Sequence, residues 1–273
     1  MKRIFIGLVF CAVIAAFSFF FITRNTTTKS SEITREFTVA VISPNVFLKA
    51  TSESAWITIT DSVSIGVGAE IKTSASGRAK ILYPNGTITT IEGDSDVVIA
   101  ALAADGNKSR LSLIFGSIWS KIQNILGTND YYEVDTGNIV ASVRDSIFAL
   151  EYRDSTSTVY GIGSTVNVAA KNPQGTTVFG TNTNVESGEK AVVSGTSIPI
   201  ISGTPIPVSS ITDAEINQGI LTQNLIELGN EDSNNLNKEL KKLLKRLRRN
   251  PGNGQPQASS SQTPTPTPAP TPN

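Results

Sequence analysis

The chain has 273 residues, with 23 basic and 23 acidic side chains, no histidine and one cysteine. Balanced charge argues against a nucleic-acid binder driven by bulk electrostatics. Without histidine, and with Cys11 alone in an apolar run, neither a Ser-His-Asp or Cys-His arrangement nor a histidine- or thiolate-based zinc site can be assembled. A disulfide is excluded on the same count.

Residues 4–22, "IFIGLVFCAVIAAFSFFFI", carry no charge. As a helix they would span roughly 28 Å at about 1.5 Å per residue, close to the thickness of a bilayer's hydrocarbon core. Small residues at a cut site are missing after the run, so the segment reads as an uncleaved signal anchor, with a cleaved signal peptide as the alternative. Lys2 and Arg3 precede it, which by the positive-inside rule puts residues 1–3 in the cytoplasm and the bulk of the chain outside. Phe10 stands immediately before Cys11, where a lipoprotein site would need a small residue, so the cysteine reads as an apolar membrane residue. Residues 23–36 are polar and rich in Thr and Ser, a short stalk.

From Phe37 onward, short β-branched and aromatic runs alternate with turn residues, which predicts an all-β domain over 37–201. The clearest hairpin is "GRAKILYPNGTITTIEGDSDVVIAAL" (77–102), in which Pro84, Asn85 and Gly86 supply the turn chemistry. "SRLSLIFGSIWSKI" (109–122) predicts two strands broken at Gly116. "IVASVRDSIFALEY" (139–152) has the apolar content of a buried strand, yet Arg144 and Asp145 interrupt it. A charge inside such a run is costly unless it is paired or reaches water.

Residues 202–211 contain two prolines and read as a linker. Helical periodicity follows over 212–249. Thr212 with Glu215 forms a capping-box start, Ile216, Ile220, Leu225 and Leu228 make one apolar stripe, and Gly229 is expected to end this first helix. A second helix, 234–249, sets Leu236, Leu240, Leu243, Leu244 and Leu247 on one face and lysines and arginines on the rest. That basic face could meet anionic wall polymers or lipid headgroups, or it could be a solvated face whose leucines pack on a neighbouring helix. Residues 250–273 are a disordered Pro/Thr-rich tail by composition.

The order of segments in the β region resembles the FecR domain. Trp56 is followed by "SIGVGAEIKTSASGRAKILYPNGTITTIEGDSDVVI" (64–99), then by "LSLIFGSIWSKI", "YYEVDTGNIVASVRDSIFALEY", "STVYGIGSTVNVAA" and "NVESGEKAVV". The resemblance covers about 39–195. It implies structural roles for Trp56, Gly86, Gly116, Trp119, Arg144, Phe148, Gly163 and Gly188. Arg144 and Phe148 fall at the family's Val-Arg-Gly-Thr-x-Phe segment, which implies a partly buried, hydrogen-bonded Arg144. Two departures stand out: Asp145-Ser146 replaces the usual Gly-Thr, and Gly137 replaces a proline. The best-known members are membrane regulators of iron–siderophore signalling with a cytoplasmic anti-sigma segment. Only three residues precede the apolar run here, so that segment is not carried over.

The expected architecture is therefore mainly β: a single-pass transmembrane helix, one FecR-like roll or sandwich, two C-terminal helices and a tail. The resemblance does not define the role of this outward β module; the residues are read as a non-catalytic module at the cell membrane, with no cofactor and no metal. Its partner would be an envelope protein or a cell-wall polysaccharide, for sensing or scaffolding. One alternative is a cell-surface structural component that self-associates through 212–249. A remote one is a hydrolase using carboxylates. Glu92, Asp94 and Asp96 in "EGDSD" could offer oxygens to calcium, but the loop shows too few ligands and a solvated turn is the plainer reading. Trp56, Phe115, Trp119, Tyr131 and Tyr132 could line one glycan or peptide groove, or simply pack in the core and its rim.

Overall fold

A computed structural model describes residues 37–102, 108–123, 131–195, 203–231 and 238–249. The expected anchor, stalk and tail lie outside these residues. Among the described residues no helix is long and apolar enough to cross a membrane.

The first strands are β1 (Phe37–Ser43), β2 (Val46–Lys49), β3 (Ile57–Ile59), β4 (Val63–Ile65), β5 (Glu70–Thr73) and β6 (Arg78–Leu82). They are followed by β7 (Ile88–Ile91), β8 (Ser95–Leu102), β9 (Lys108–Lys121), β10 (Tyr131–Asp135), β11 (Ile139–Val143) and β12 (Ile147–Arg153). The last are β13 (Thr156–Gly161), β14 (Val166–Ala170), β15 (Thr183–Val185), β16 (Glu189–Ser194) and β17 (Val208–Ser210). Three helices close the described chain: α1 (Asp213–Ile216), α2 (Gly219–Glu231) and α3 (Lys238–Arg249).

Pairing arranges the strands in two sheets. One runs β4-β1-β6-β7-β9-β12-β13-β16-β17. The other runs β3-β2-β5-β8-β9-β10-β11-β14-β15. Strand β9 belongs to both. Its first half lies between β8 and the parallel β10, its second half between β7 and β12. The expected break at Gly116 is thus a bend within one 14-residue strand. Gly116 holds φ +98°, and a Cβ there would stand 2.5 Å from the Asp94 carbonyl oxygen and from Ser95 Cα. Only glycine allows that backbone shape and that approach together.

Buried inner-face residues alternate with more polar outer ones along most strands, except in the middle of the first sheet, where both faces are buried. Val39, Ile81, Ile91, Ile118, Phe148 and Leu150 from one sheet meet Ile71, Val97, Leu111, Val134, Ala141 and Val168 from the other in one core. Tyr132 reaches across it, its hydroxyl 2.7 Å from Thr89 Oγ1 and 3.0 Å from Ser120 Oγ. This satisfies a phenol that burial would otherwise penalise, and burial pushes its pKa up. Edge-on ring contacts link Phe37, Tyr83, Tyr132 and Phe148 in sequence.

The predicted hairpin forms between β6 and β7. The Gly86 amide donates to the Tyr83 carbonyl at 3.0 Å, and the Tyr83 amide to Thr87 at 3.0 Å. Gly86 takes the positive φ, +87°, that this three-residue loop needs. The expected linker over 202–211 is instead part of the fold: β17 extends the sheet beside β16, and Ile206 and Ile211 are buried. The helical region also differs. Thr212 and Glu215 form the expected capping box, but that turn ends at Ile216, and α2 continues past Gly229 to Glu231. Gly229 is where α3 comes close, a Cβ there lying 3.3 Å from a Leu244 methyl.

The helices cover the outer face of the first sheet. A single register row crosses that face: Ala40, Lys80, Thr90, Trp119, Ala149, Tyr160, Lys190 and Ser209. Its apolar middle, Trp119, Ala149 and Tyr160, packs with Ile216, Leu221, Leu225, Leu228, Leu240 and Leu244 in a second core. The lysines flanking the middle reach helix carboxylates, Lys80 to Glu227 at 3.7 Å and Lys190 to Glu215. Burial, with Glu215 and Glu151 adding, pushes the Tyr160 hydroxyl up to about 12.

Beside this row lies a buried ionic latch. Arg78 is only 6% exposed. Its Nε donates to Glu92 at 3.0 Å, its Nη2 to Asn224 at 2.9 Å, and its Nη1 to Glu227. The Asn224 amide in turn donates to Glu92 at 2.8 Å, closing the network. Burial pushes the Glu227 carboxyl up, but Arg78 and then Lys80 outweigh it and hold the group below its ordinary value of 4.5.

Arg144 does not fill the buried role expected of it. It is exposed, in the bend where the chain leaves β11 of one sheet for β12 of the other. Its charge therefore interrupts no strand. Removing one partner of a buried network strands the rest, whereas an exposed bend tolerates truncation. Arg78→Ala is expected to lower stability by about 3–5 kcal/mol. Arg144→Ala, at an exposed position, should change it by no more than about 1 kcal/mol. Urea unfolding of the two variants checks both values, and a reversed ranking would refute the latch.

Candidate interaction surface

The outer face of the second sheet has no helix over it among the described residues. Lateral register sets Thr58, Phe47, Lys72, Asp96 and Phe115 in one row across it. Lys72 is the centre of this row. Its ammonium lies 3.1 Å from Asp96, 3.2 Å from Glu70 and 4.4 Å above the Trp56 ring. Lys49 reaches Glu70 at 3.6 Å and the same indole at 5.7 Å. Two lysines and two carboxylates thus form a neutral tetrad beside a tryptophan that remains 39% exposed. At the other end Phe115 is 42% exposed, with the Arg153 guanidinium 4.8 Å over its ring. Trp56 and Phe115 thus flank a charged strip, each with a cation against one ring face.

Further along this face the charges are also paired. Arg110 holds Glu133 through two contacts of 2.9 and 2.5 Å, and Lys171 holds Asp135. The strip is charged yet locally balanced, so its contacts with another molecule rest on aromatic area and hydrogen bonding more than on net field.

The tetrad's two acids are pushed in opposite directions. Burial raises Asp96 above 3.8, with Glu70 adding and Lys72 only partly offsetting it. Its Oδ1 is buried without a hydrogen-bond partner among the described residues. Burial also pushes Glu70 up, but Lys72 and Lys49 outweigh it and leave that group below 4.5.

The eight residues singled out by family resemblance do not gather into one site. Trp56 lies on the open face. Trp119 is buried under the helices, and Phe148 is fully buried between the sheets. Gly86 and Gly116 make the turn and the bend described above, and Arg144 is exposed. The Gly163 amide donates to the Ile147 carbonyl at 2.9 Å in the turn after β13, and the Gly188 amide to Gly161 at 2.8 Å in the turn before β16. The five aromatics of the proposed groove are likewise dispersed: Tyr132 sits in the inter-sheet core and Trp119 in the second core. Trp56 and Phe115 share the open face with Tyr131, which is half-buried two residues before Glu133 on β10. In "EGDSD", Glu92 is committed to Arg78 and Asp96 to Lys72, while Asp94 is exposed at φ +51°. Among the described residues no three potential metal ligands cluster.

Sequence reasoning passed over Glu70, Lys72 and the Arg78 network. Glu70 and Lys72 had a local signal, since residues two apart on a strand share a face. Arg78 had none, because Glu227 is 149 positions away.

The model of the family described as FecR protein matches residues 69–167, the stretch from the start of β5 into β14. No curated protein matches the chain. Among solved structures, two crystal structures of a candidate anti-sigma factor from Parabacteroides distasonis are similar to it. Each is 13% identical over 59% of this chain, covering 72% and 73% of their own, with TM-scores of 0.42 and 0.41.

The tetrad's shifts give opposite stability effects. For Asp96 the folded value is raised, so the stability it contributes is complete below 3.8 and lost as pH rises through the folded value. For Glu70 the folded value is depressed, so its contribution is present above 4.5 and lost as pH falls through the folded value. At about pH 7, Glu70→Gln should therefore lower the melting temperature, while Asp96→Asn leaves it unchanged or raises it. Thermal melts over a descending pH series should show the Glu70→Gln deficit disappearing in acid. A deficit of equal size for both variants at neutral pH would contradict this assignment.

Proposed function

We propose that this chain is a non-catalytic, FecR-like regulatory or sensing module that acts by contact. It is held at the cell membrane by residues 4–22, with its β domain outside the cytoplasm, and meets an envelope protein or polysaccharide. The observation that carries the reading is the FecR match over 69–167, which includes the strands at the centre of the open face. That face presents Trp56 and Phe115 at the two ends of a charge-balanced strip. The opposite sheet has its middle buried by helices of the same chain.

Self-association through 212–249 is less well supported, because Leu240, Leu243, Leu244 and Leu247 are already buried against the same chain. A carboxylate hydrolase is less well supported still, since Glu92 and Asp96 are tied into ion pairs.

The test places a photo-crosslinking side chain at Trp56, Phe115 or Ile226 in the full chain, expressed in cells. One recurring adduct from positions 56 and 115, and none from Ile226 on α2, is the expected pattern. Adducts spread evenly over all three positions, or confined to Ile226, would refute recognition through the open face. Protease added to intact spheroplasts should cleave the β domain; full protection would refute the outward orientation.

A further inference from the structure

The chain is neutral overall, yet α3 carries seven of its 23 basic residues and one of its 23 acidic ones. The structure narrows what this helix can do. Leu240, Leu243, Leu244 and Leu247 are all buried beneath it, so its apolar stripe is used inside the molecule. What faces outward is a line of cations: Lys238, Lys241, Lys245, Arg248 and Arg249 are all exposed. Lys238, Lys241, Lys245 and Arg248 recur every three or four residues, with Arg249 beside the last, which at about 1.5 Å per residue puts a positive charge roughly every 5 Å along a fixed support.

Local pairing and the helix dipole account for only part of the charge on this helix. Arg246 is explained locally, donating to Asp213 at 2.6 Å and to the Ile211 carbonyl at 2.6 Å. Arg248 and Arg249 stand in the last turn, where the helix dipole favours cations. Lys238 and Lys241 stand in the first turn, where it disfavours them. Lys245 sits mid-helix, beyond the reach of either end. Among the described residues no carboxylate is paired with Lys241, Lys245 or Arg248, and Asp213, the acid that meets α3, is engaged by Arg246. The charge is thus concentrated, exposed and not needed by the helix.

We infer that the outward face of α3 binds a linear polyanion, a chain of phosphate-type charges lying along the helix. A bilayer surface fits less well, because an interfacial helix inserts its apolar stripe, and here that stripe is sequestered. Base-specific or stacking recognition of nucleic acid also fits less well, because α3 carries no aromatic side chain. The interaction is a field effect, with affinity falling steeply as salt releases its advantage.

The experiment uses the full chain in neutral detergent micelles, titrated with inorganic polyphosphate at low and at physiological salt. Lys241→Glu/Lys245→Glu is compared with the equally charged control Lys108→Glu/Lys121→Glu, and melting temperatures confirm that both variants fold. Support is a loss of affinity of about tenfold or more in the helix variant, less than about twofold in the control, and a shallower salt dependence for the helix variant. Equal losses in both variants, or no binding by the wild type, would overturn the inference. So would tighter binding, at equal phosphate concentration and with the same dependence on Lys241 and Lys245, to phosphatidylglycerol vesicles or to a single-stranded oligonucleotide.

Discussion

One bent strand organises this molecule. Strand β9 supplies a central member to both sheets, and it can do so only because Gly116 turns the backbone where any side chain would strike Asp94 and Ser95. A flat continuation would leave two sheets without a shared strand, each with an additional edge to protect. The bend instead places the inner faces of both sheets against one core. The Tyr132 hydroxyl then ties sheet to sheet by meeting Thr89 and Ser120 across it. Register matters as much as composition here. A slip of one residue along β9 would carry Leu111, Leu113 and Ile118 out of the core and Arg110 into it.

The two outer faces differ because of what the first sheet displays. Its middle, Trp119, Ala149 and Tyr160, is too apolar to remain in water, and the helices cover it. The flanking lysines and Arg78 then fix where those helices sit, since each finds a carboxylate on the helical layer. A buried arginine is a weak source of net stability, because its desolvation offsets most of its attraction. It is a strong source of position, since only one placement of α2 satisfies the guanidinium, Asn224 and Glu92 together. The second sheet has no comparable apolar middle on its outer face. It carries paired charges instead, and among the described residues no helix covers it.

What could be read from the sequence follows the distance over which each signal acts. The Pro84-Asn85-Gly86 turn and the Thr212–Glu215 capping box are set within four residues, and both form as the residues suggest. Gly116 was legible as an interruption but not as a bend, since one glycine serves equally to end a strand or to reshape it. In sequence Gly229 looks like a helix end, yet its small size matters for Leu244, fifteen residues further on. The two arginines show the limit most plainly. Arg144 stands between apolar runs and looks buried, but those runs belong to different sheets and the chain is passing outward between them. Arg78 opens an ordinary amphipathic strand, and the carboxylate and amide on α2 that bury it are far away in sequence. The open face of the second sheet was equally hidden, since Trp56, Lys72, Asp96 and Phe115 come together only through the pairing of β5, β8 and β9.

The two surfaces left to solvent work by different physics. On the open sheet face every charge in the tetrad has a near neighbour of opposite sign, so its field cancels within a Debye length. Recognition there depends on the shape and ring area of Trp56 and Phe115, and salt should affect it little. On α3 the charges share one sign and reinforce one another, so the field extends outward and weakens with salt. A single chain can therefore hold one partner by contact and attract another by charge without the two competing for the same residues. The sheet face lies on β2, β5, β8 and β9, while the helix rests on the far side of the first sheet. The Arg78 latch joins that sheet to α2, against which α3 packs, so the cationic line has a rigid support. A fixed line of charge gives up less conformational entropy on meeting a polymer than the same residues would on an unfolded tail.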